Sequence, residues 1–448
     1  MVKHMAQRQL AIVSTYAPIV CGIGTYTDQI ARHAPYGALK VASFDFIQSG
    51  LKHSPGMDQN THATYNINRD KMDAIGVDRD IHHLFKGEFD GSVLIQHEPG
   101  IQDDPVKHVE MIKCLRARGY PTAVSHHRIH FQSDETDSGM ESTELELLAM
   151  ELPEVDAITV FSEGVHNAVT SAFPEYGSKV HIIRHGIPQY GTLGFNSGHL
   201  AYTADTTGES REKMKDYLTE QGLMTEKLRS VLNDPEAVIV GATGFICPDK
   251  REASIFKMAD EANAILKGMG YEKNPIHVVY MGSMRTGEDN EQKTKQMFEE
   301  AVSNGHVFIE HFVPDGMYSH ALNMNDVVVF WPESATQSGR LVHAIGMGSN
   351  ILGKDVEGVG ETLRDAGYLA LRDPEELSRR LAAYVVSGKS PEVFEIDEAK
   401  RAAYISRNNW TRITDDHFDM AENLASRFSR RYDQKNLVLY PLAAGAAR

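Results

Sequence analysis

The chain is short of the residues that staple or anchor a fold. Its 448 residues include three cysteines, Cys21, Cys114 and Cys247, odd in number and far apart. A disulfide framework is therefore not expected, and a reducing cytoplasmic setting is. No C-x-x-C or H-E-x-x-H spacing occurs, which removes the usual signal for a zinc site. No apolar run is long enough to span a bilayer, and the N-terminal stretch lacks the order of a secretory signal, so no stable membrane insertion is expected. Positive charge is the scarcer sign: 45 Lys and Arg face 62 Asp and Glu, for a formal net charge of −17. Such a surface argues against nucleic acid or an anionic membrane as partner, since both are gripped by basic patches. The basic RFSRRY segment near the C-terminus reads as a solvated helix face. A local phosphate pocket is compatible with an acidic surface.

What is present is a rhythm. Apolar content of 41% suits a globular protein of two or three domains. Over residues 1–190, strand-like LAIVST, LKVASFDF, SVLIQHE, TAVSHH, AITVFS and VHIIRHGIP end in polar or glycine positions. Between them, DPVKHVEMIKCLRARG and SEGVHNAVTSAF carry apolar residues at helical spacing. This alternation predicts an α/β domain with a parallel, doubly wound sheet. Residues 191–236 break the pattern with a Gly/Ser/Thr-rich stretch and a charged helical segment, read as linker and insertion. The rhythm restarts over 237–408 with AVIVGATGF, PIHVVYMGS, VFIEHFV, DVVVFWP, SNILG and YLALRD. Two Rossmann-like units facing across a cleft are expected. Residues 409–448 form an amphipathic helix around Trp410, Phe418 and Leu424 that returns to the first unit, followed by a tail. Segments 46–90 and 128–145 show no legible pattern, and the acidic helix in DSGMESTELELLAMELPEV reads as solvated.

Four motifs point toward the carboxyl edges of these sheets. In LNMNDVVVFWPESATQSGRLVHAIGMG (322–348), a buried strand ends at Pro332 and a helix opens at Ser338, a natural N-cap. A helix start at a sheet edge offers unpaired N–H groups and partial positive charge to phosphate. Glu333 stands beside it as an acceptor for hydroxyls. In VGATGFICPDKRE (240–252), Lys250 and Arg251 follow a strand end, where cations can neutralise a leaving diphosphate; the plain alternative is two solvated loop cations. Gly22 and Gly24 in PIVCGIGTYT allow close backbone approach, although a tight turn explains them equally well. His97, Glu98, His126 and His127 close two strands of the first unit, where they could read hydroxyls or simply satisfy neighbouring backbone. The HGIP turn at 185–188 reads as a hinge.

Taken in order, these segments resemble the large retaining glycosyltransferase family of the GT-B fold known as group one or family four. The resemblance covers most of the chain. It implies transfer of a hexose from a nucleotide-diphosphate sugar to an acceptor hydroxyl, with retention and without metal or cofactor. The donor is a substrate, with UDP- or GDP-linked sugars favoured. The acceptor is a small molecule or glycan, and homo-oligomerisation is left open. The resemblance carries over to Lys250, Glu333 and His127 as catalytic residues. It places Gly22, Gly24, Arg251, Gln337, Ser338, Gly339, Arg340 and His343 at the donor. Two departures stand out. Phe245 occupies the place of the family's arginine, for which Arg251 or Arg285 could compensate. The second of the family's paired glutamates is absent, with Leu341 or His343 in its place depending on alignment. Related readings are a GT-B nucleotide-sugar epimerase, a phosphorylase, which would need pyridoxal phosphate, and a non-catalytic nucleotide-sugar-binding protein.

Overall fold

A computed structural model of the chain describes residues 9–16, 19, 21–45, 63–68, 74–86, 89–102, 104–188, 190, 204–244, 254–282, 296 and 298–431. The first unit runs β1 (Leu10–Ser14), α1 (Gly22–His33), β2 (Leu39–Asp45), β3 (Ala63–Asn68), α2 (Ala74–Leu84), β4 (Ser92–His97), α3 (Pro105–Ala117), β5 (Thr122–His126), α4 (Ser142–Glu151), β6 (Ala157–Val160), α5 (Glu163–Ala172) and β7 (Val180–Ile182). Its sheet has seven strands in the order β3-β2-β1-β4-β5-β6-β7, all parallel. The second unit contains α6 (Ala204–Glu220), α7 (Glu226–Asn233), β8 (Val238–Thr243), α8 (Ser254–Gly268), β9 (Ile276–Gly282), β10 (Val307–Glu310), α9 (Asp315–Asn323), β11 (Val327–Phe330), α10 (Gly339–Met347), β12 (Ile351–Lys354), α11 (Glu357–Asp365), β13 (Ala370–Leu371), α12 (Pro374–Val386) and α13 (Glu398–Arg407). Six parallel strands run β10-β9-β8-β11-β12-β13. The expected pair of doubly wound units is therefore present. β1, β4, β8 and β11 are buried along their whole length because helices cover both faces, which is why they read as unbroken apolar runs.

Two elements had no legible signal. β3 (ATYNIN) alternates polar residues at the sheet's outer edge, and α2 follows it. The stretch read as linker and insertion contributes core: Met214 and Leu218 of α6 and Leu228 of α7 are fully buried with Ile239, Val279 and Met324. The acidic helix α4 is also not a solvated one. Its Glu151 is fully buried, accepting from His108 Nε2 at 3.0 Å and His126 Nε2 at 2.9 Å. Glu144 accepts from the backbone N–H of His130 at 2.8 Å. A buried carboxylate is tolerable only with such partners.

The chain crosses between units twice, and the crossings pair. Ile187 bridges Asn409 in parallel and its N–H donates to Asn408 O at 2.7 Å. Gly186 lies flat against Trp410, whose ring would be 2.2 Å from a Cβ there. The last helix, α14 (Trp410–Arg431), then returns to the first sheet. Ile413, Phe418, Ala421 and Leu424 bury against Leu10, Ile12 and Leu94, and Ser92 Oγ donates to Ala421 O at 2.7 Å.

Burial holds several imidazoles neutral. It pushes His185 and His417 down to about 4 and His343 to about 3, and lowers His97 and His127 too. Once unfolded, each would titrate near its ordinary value of 6.5. The unfolded chain then binds more protons, so stability is full above about pH 6.5 and falls as pH drops toward the folded values. Each such histidine costs about 1.4 kcal/mol per pH unit below that point. Thermal melts should show Tm lower by roughly 5–15 °C at pH 5.5 than at pH 7.5; an unchanged Tm contradicts the burial of these rings as neutral groups.

Candidate active site

In each sheet the strand order reverses once, between β1 and β4 and between β8 and β11, and ligands of such folds lie in the crevice at that point. β11 leads into it. Trp331 and Pro332 stay buried, and the loop of residues 333–338 follows. Ser338 caps α10 as the sequence predicts: its backbone is extended (φ −148, ψ 111) and its Oγ accepts from Leu341 N–H at 3.3 Å. The N–H groups of Gly339 and Arg340 precede the first intrahelical bond and point out of the helix start. Gly348 ends the helix at φ +71, a left-handed position that glycine adopts without strain. Just before the cap, Gln337 Oε1 is buried with no hydrogen-bond partner.

Arg340 turns back from the first turn of α10 to the end of β8. Its Nη1 donates to Thr243 O, and its guanidinium lies 5.7 Å from the centre of the Phe330 ring. Gly244, at φ +116, makes room for it; a Cβ there would come within 2.2 Å of Arg340 Cδ. A fixed guanidinium therefore stands at the residue preceding Phe245. One turn further, His343 is enclosed by Tyr190 and Tyr318, with ring centres at 5.8 and 5.0 Å. Its Nδ1 is hydrogen-bonded to the Tyr190 hydroxyl. Tyr318 Oη lies 3.1 Å from Thr243 Oγ1, so this ring is tied to the same strand end.

The first unit supplies the facing wall. Gly22 and Gly24 sit within the first turn of α1 rather than in a loop before it. Gly22 is open, whereas a Cβ at Gly24 would stand 3.3 Å from Ile19 O. Cys21 caps α1 without a side-chain bond, so the first N–H groups of this helix also lack a capping partner from that residue. His127 is 3% exposed, and its side chain points into the unit. Its Nε2–H donates to Gln96 Oε1 at 2.5 Å, and its ring meets Tyr26 and Phe161 at 5.0 Å each. What His127 presents to the second unit is its carbonyl, which accepts from Thr336 Oγ1 at 3.2 Å. His97 and His126 belong to the buried Glu151 cluster, their rings 5.0 Å apart. Glu98 is half-buried and its carbonyl accepts from Ile101 N–H at 3.0 Å.

Glu333 is exposed at the loop tip, and Lys354 Nζ donates to its carbonyl at 3.4 Å. Lys250, Arg251, Phe245 and Arg285 lie outside the described residues. Gln337, Ser338, Gly339, Arg340 and His343 are thus gathered on the second unit's edge. Sequence reasoning missed two residues at this junction, Thr336 and His185. His185, in the turn read as a hinge, brings Nε2 to 3.4 Å from a Cβ built at Gly339. Its Nδ1–H donates to Gly186 O at 2.9 Å, so the nitrogen facing the helix start carries a lone pair. Only its place directly after a strand marked it in the sequence.

Two other features lie apart from this junction. A groove of about 330 Å³ lined by His181, Asp416, Asn423 and Arg427 runs along the outer edge of the first sheet and contains none of the candidate residues. His130, Glu141 and Glu144 are close enough to hold a cation, but Nδ1 of His130 is engaged by Glu357 and Arg128 faces Glu144 at 3.8 Å.

No protein-family model matches the chain, and no curated protein matches its sequence. Solved structures do. A UDP-forming α,α-trehalose-phosphate synthase from Burkholderia xenovorans superposes with a TM-score of 0.63 at 14% identity, over 93% of this chain and 99% of that one. HepE from Anabaena, solved with UDP-glucose, gives 0.62 at 13% identity over 93% and 99%. The N-terminal domain of trehalose-6-phosphate phosphatase from Candida albicans gives 0.62 at 11% identity over 93% and 97%. These likenesses show that the two units form a GT-B fold.

The fit of Arg340 against Gly244 is testable as a coupled pair. Gly244→Ala adds a Cβ in left-handed backbone beside Arg340 Cδ and should lower stability by about 1–3 kcal/mol in urea unfolding. In an Arg340→Ala background the added cost should shrink, a non-additivity of about 1 kcal/mol; strictly additive costs contradict the contact.

Proposed function

We propose that this chain is a retaining glycosyltransferase that takes a hexose from a nucleoside-diphosphate sugar, UDP-linked in preference, and passes it to an acceptor hydroxyl. The observation that carries this reading is the α10 start: Ser338-capped N–H groups and the anchored Arg340 guanidinium side by side at the reversal point of the second sheet. Breaking the bond between the anomeric carbon and the phosphate oxygen leaves negative charge on the diphosphate. The Gly339 and Arg340 N–H groups stabilise that charge, with Arg340 in the role of the family arginine that Phe245 lacks and Lys250 as a further cation. Glu333 reads donor hydroxyls from the loop tip. The acceptor oxygen bonds to the anomeric carbon on the face the phosphate leaves, and its proton passes to the departing phosphate oxygen. That sequence gives retention without a protein nucleophile and requires no metal. The UDP preference is supported by HepE, which binds UDP-glucose on the same fold. His343, neutral and fixed by Tyr190, is with Leu341 one of the two residues that alignment sets at the missing second glutamate, a change that bears on how the ribose is held.

Thermal shift against UDP-, GDP-, ADP- and dTDP-glucose should give a selective rise with one donor, followed by transfer to a sugar acceptor. Arg340→Ala should weaken donor binding about 10- to 100-fold. Lys250→Ala should cut turnover at least 100-fold with Tm unchanged. Near-normal transfer by Lys250→Ala contradicts its role. A donor shift without turnover on any acceptor favours a nucleotide-sugar-binding protein instead.

A further inference from the structure

One face of α11 carries three carboxylates four residues apart, Glu357, Glu361 and Asp365, and all three meet the first unit. Both oxygens of Glu357 lie 3.0 Å from His130 Nδ1, and one accepts from Phe131 N–H at 3.1 Å. The N–H of Glu357 donates to Gln132 Oε1 at 3.2 Å. Glu361 accepts from the first two N–H groups of α5, Glu163 at 2.7 Å and Gly164 at 2.9 Å. Arg184 pairs with Glu361 at 2.7 Å and with Asp365 at 2.9 Å.

Two further facts separate Glu357 from an ordinary interface residue. It is 3% exposed and holds φ +40, a left-handed backbone that a glutamate adopts only under strain and that glycine would adopt freely. The residues after it rest on the loop that leads to α10. A Cβ at Gly358 would be 1.9 Å from Thr336 O, and Val359 N–H donates to Ala335 O at 3.4 Å. Thr336 in turn donates to His127 O across the cleft. A single strained residue thus joins the 130–132 segment of the first unit to the 333–338 loop of the second.

We propose that Glu357 is a positioning residue: its clasp on His130 and Phe131 holds the two units closed, and through Gly358 and Val359 it fixes the 333–338 loop in the shape that completes the donor cradle. The inference rests on the transferase reading for its consequence in turnover, but not for the clasp itself. The test uses the full chain with Glu357→Gly, which removes the carboxylate and suits the backbone, and Glu357→Gln, which retains an acceptor for Phe131 N–H. Small-angle scattering without substrate should show a larger radius of gyration for the glycine variant and a smaller change for the glutamine variant. In transfer assays kcat should fall at least about tenfold in the glycine variant, with KM for the donor changed less than about threefold. A wild-type radius of gyration in Glu357→Gly overturns the clasp, whether or not transfer is ever detected. A larger radius with wild-type kcat overturns the positioning role.

Discussion

The structure depends first on how the chain passes between its two units. The outbound crossing at Gly186–Ile187 and the return at Asn408–Trp410 are paired by a β-bridge and by the Trp410 ring over a residue that must be glycine. Around this knot the rings of Tyr26, His127, Phe161, His185 and His417 close into one buried block, with Tyr26 Oη 2.9 Å from His417 Nε2. Elements from both ends of the chain meet there: α1, the ends of β5 and β6, the crossing and α14. The same block touches the start of α10 through His185. The helix that offers its N–H groups to the cleft is therefore set against the crossing rather than against a mobile surface. Buried, neutral histidines make this block rigid at neutral pH, since none of them adds a charge in need of solvent.

On the proposed reading, an acidic chain holds a diphosphate because what matters is the field inside the crevice. The capped helix start contributes partial charge with no side-chain cost, and Arg340 is held against Thr243 and Gly244 before any ligand arrives. Charges fixed in place lose no freedom on binding, whereas a loop cation would. Across the cleft, Glu357, Glu361 and Asp365 hold the first unit through His130, Arg184 and the start of α5, so the two walls share one network of carboxylates.

The parts legible in the sequence were those whose cause is local. The run Val327–Trp331, the stop at Pro332 and the cap at Ser338 specify strand, loop and helix within twenty residues, and the same holds for β1, β4 and β8. The parts that were not legible arise from contacts distant in sequence. Glu151 looked like one more solvated acid because its partners His108 and His126 lie 43 and 25 positions away. His127 was assigned a catalytic role by resemblance, yet its Nε2 is bonded to Gln96, 31 positions away. Arg340 was read as one more residue of the helix start, and only the fold shows it returning to the end of β8. Edge strand β3 escaped notice because a run that is polar on alternate positions and lies at the edge of the sheet differs little in sequence from a loop.

A structure of the protein with UDP bound tests the central claim most directly. The account predicts the diphosphate within hydrogen-bond distance of the Gly339 and Arg340 N–H groups, with the Arg340 guanidinium still on Thr243 O. A diphosphate bound elsewhere, away from the Gly339 and Arg340 N–H groups, contradicts it.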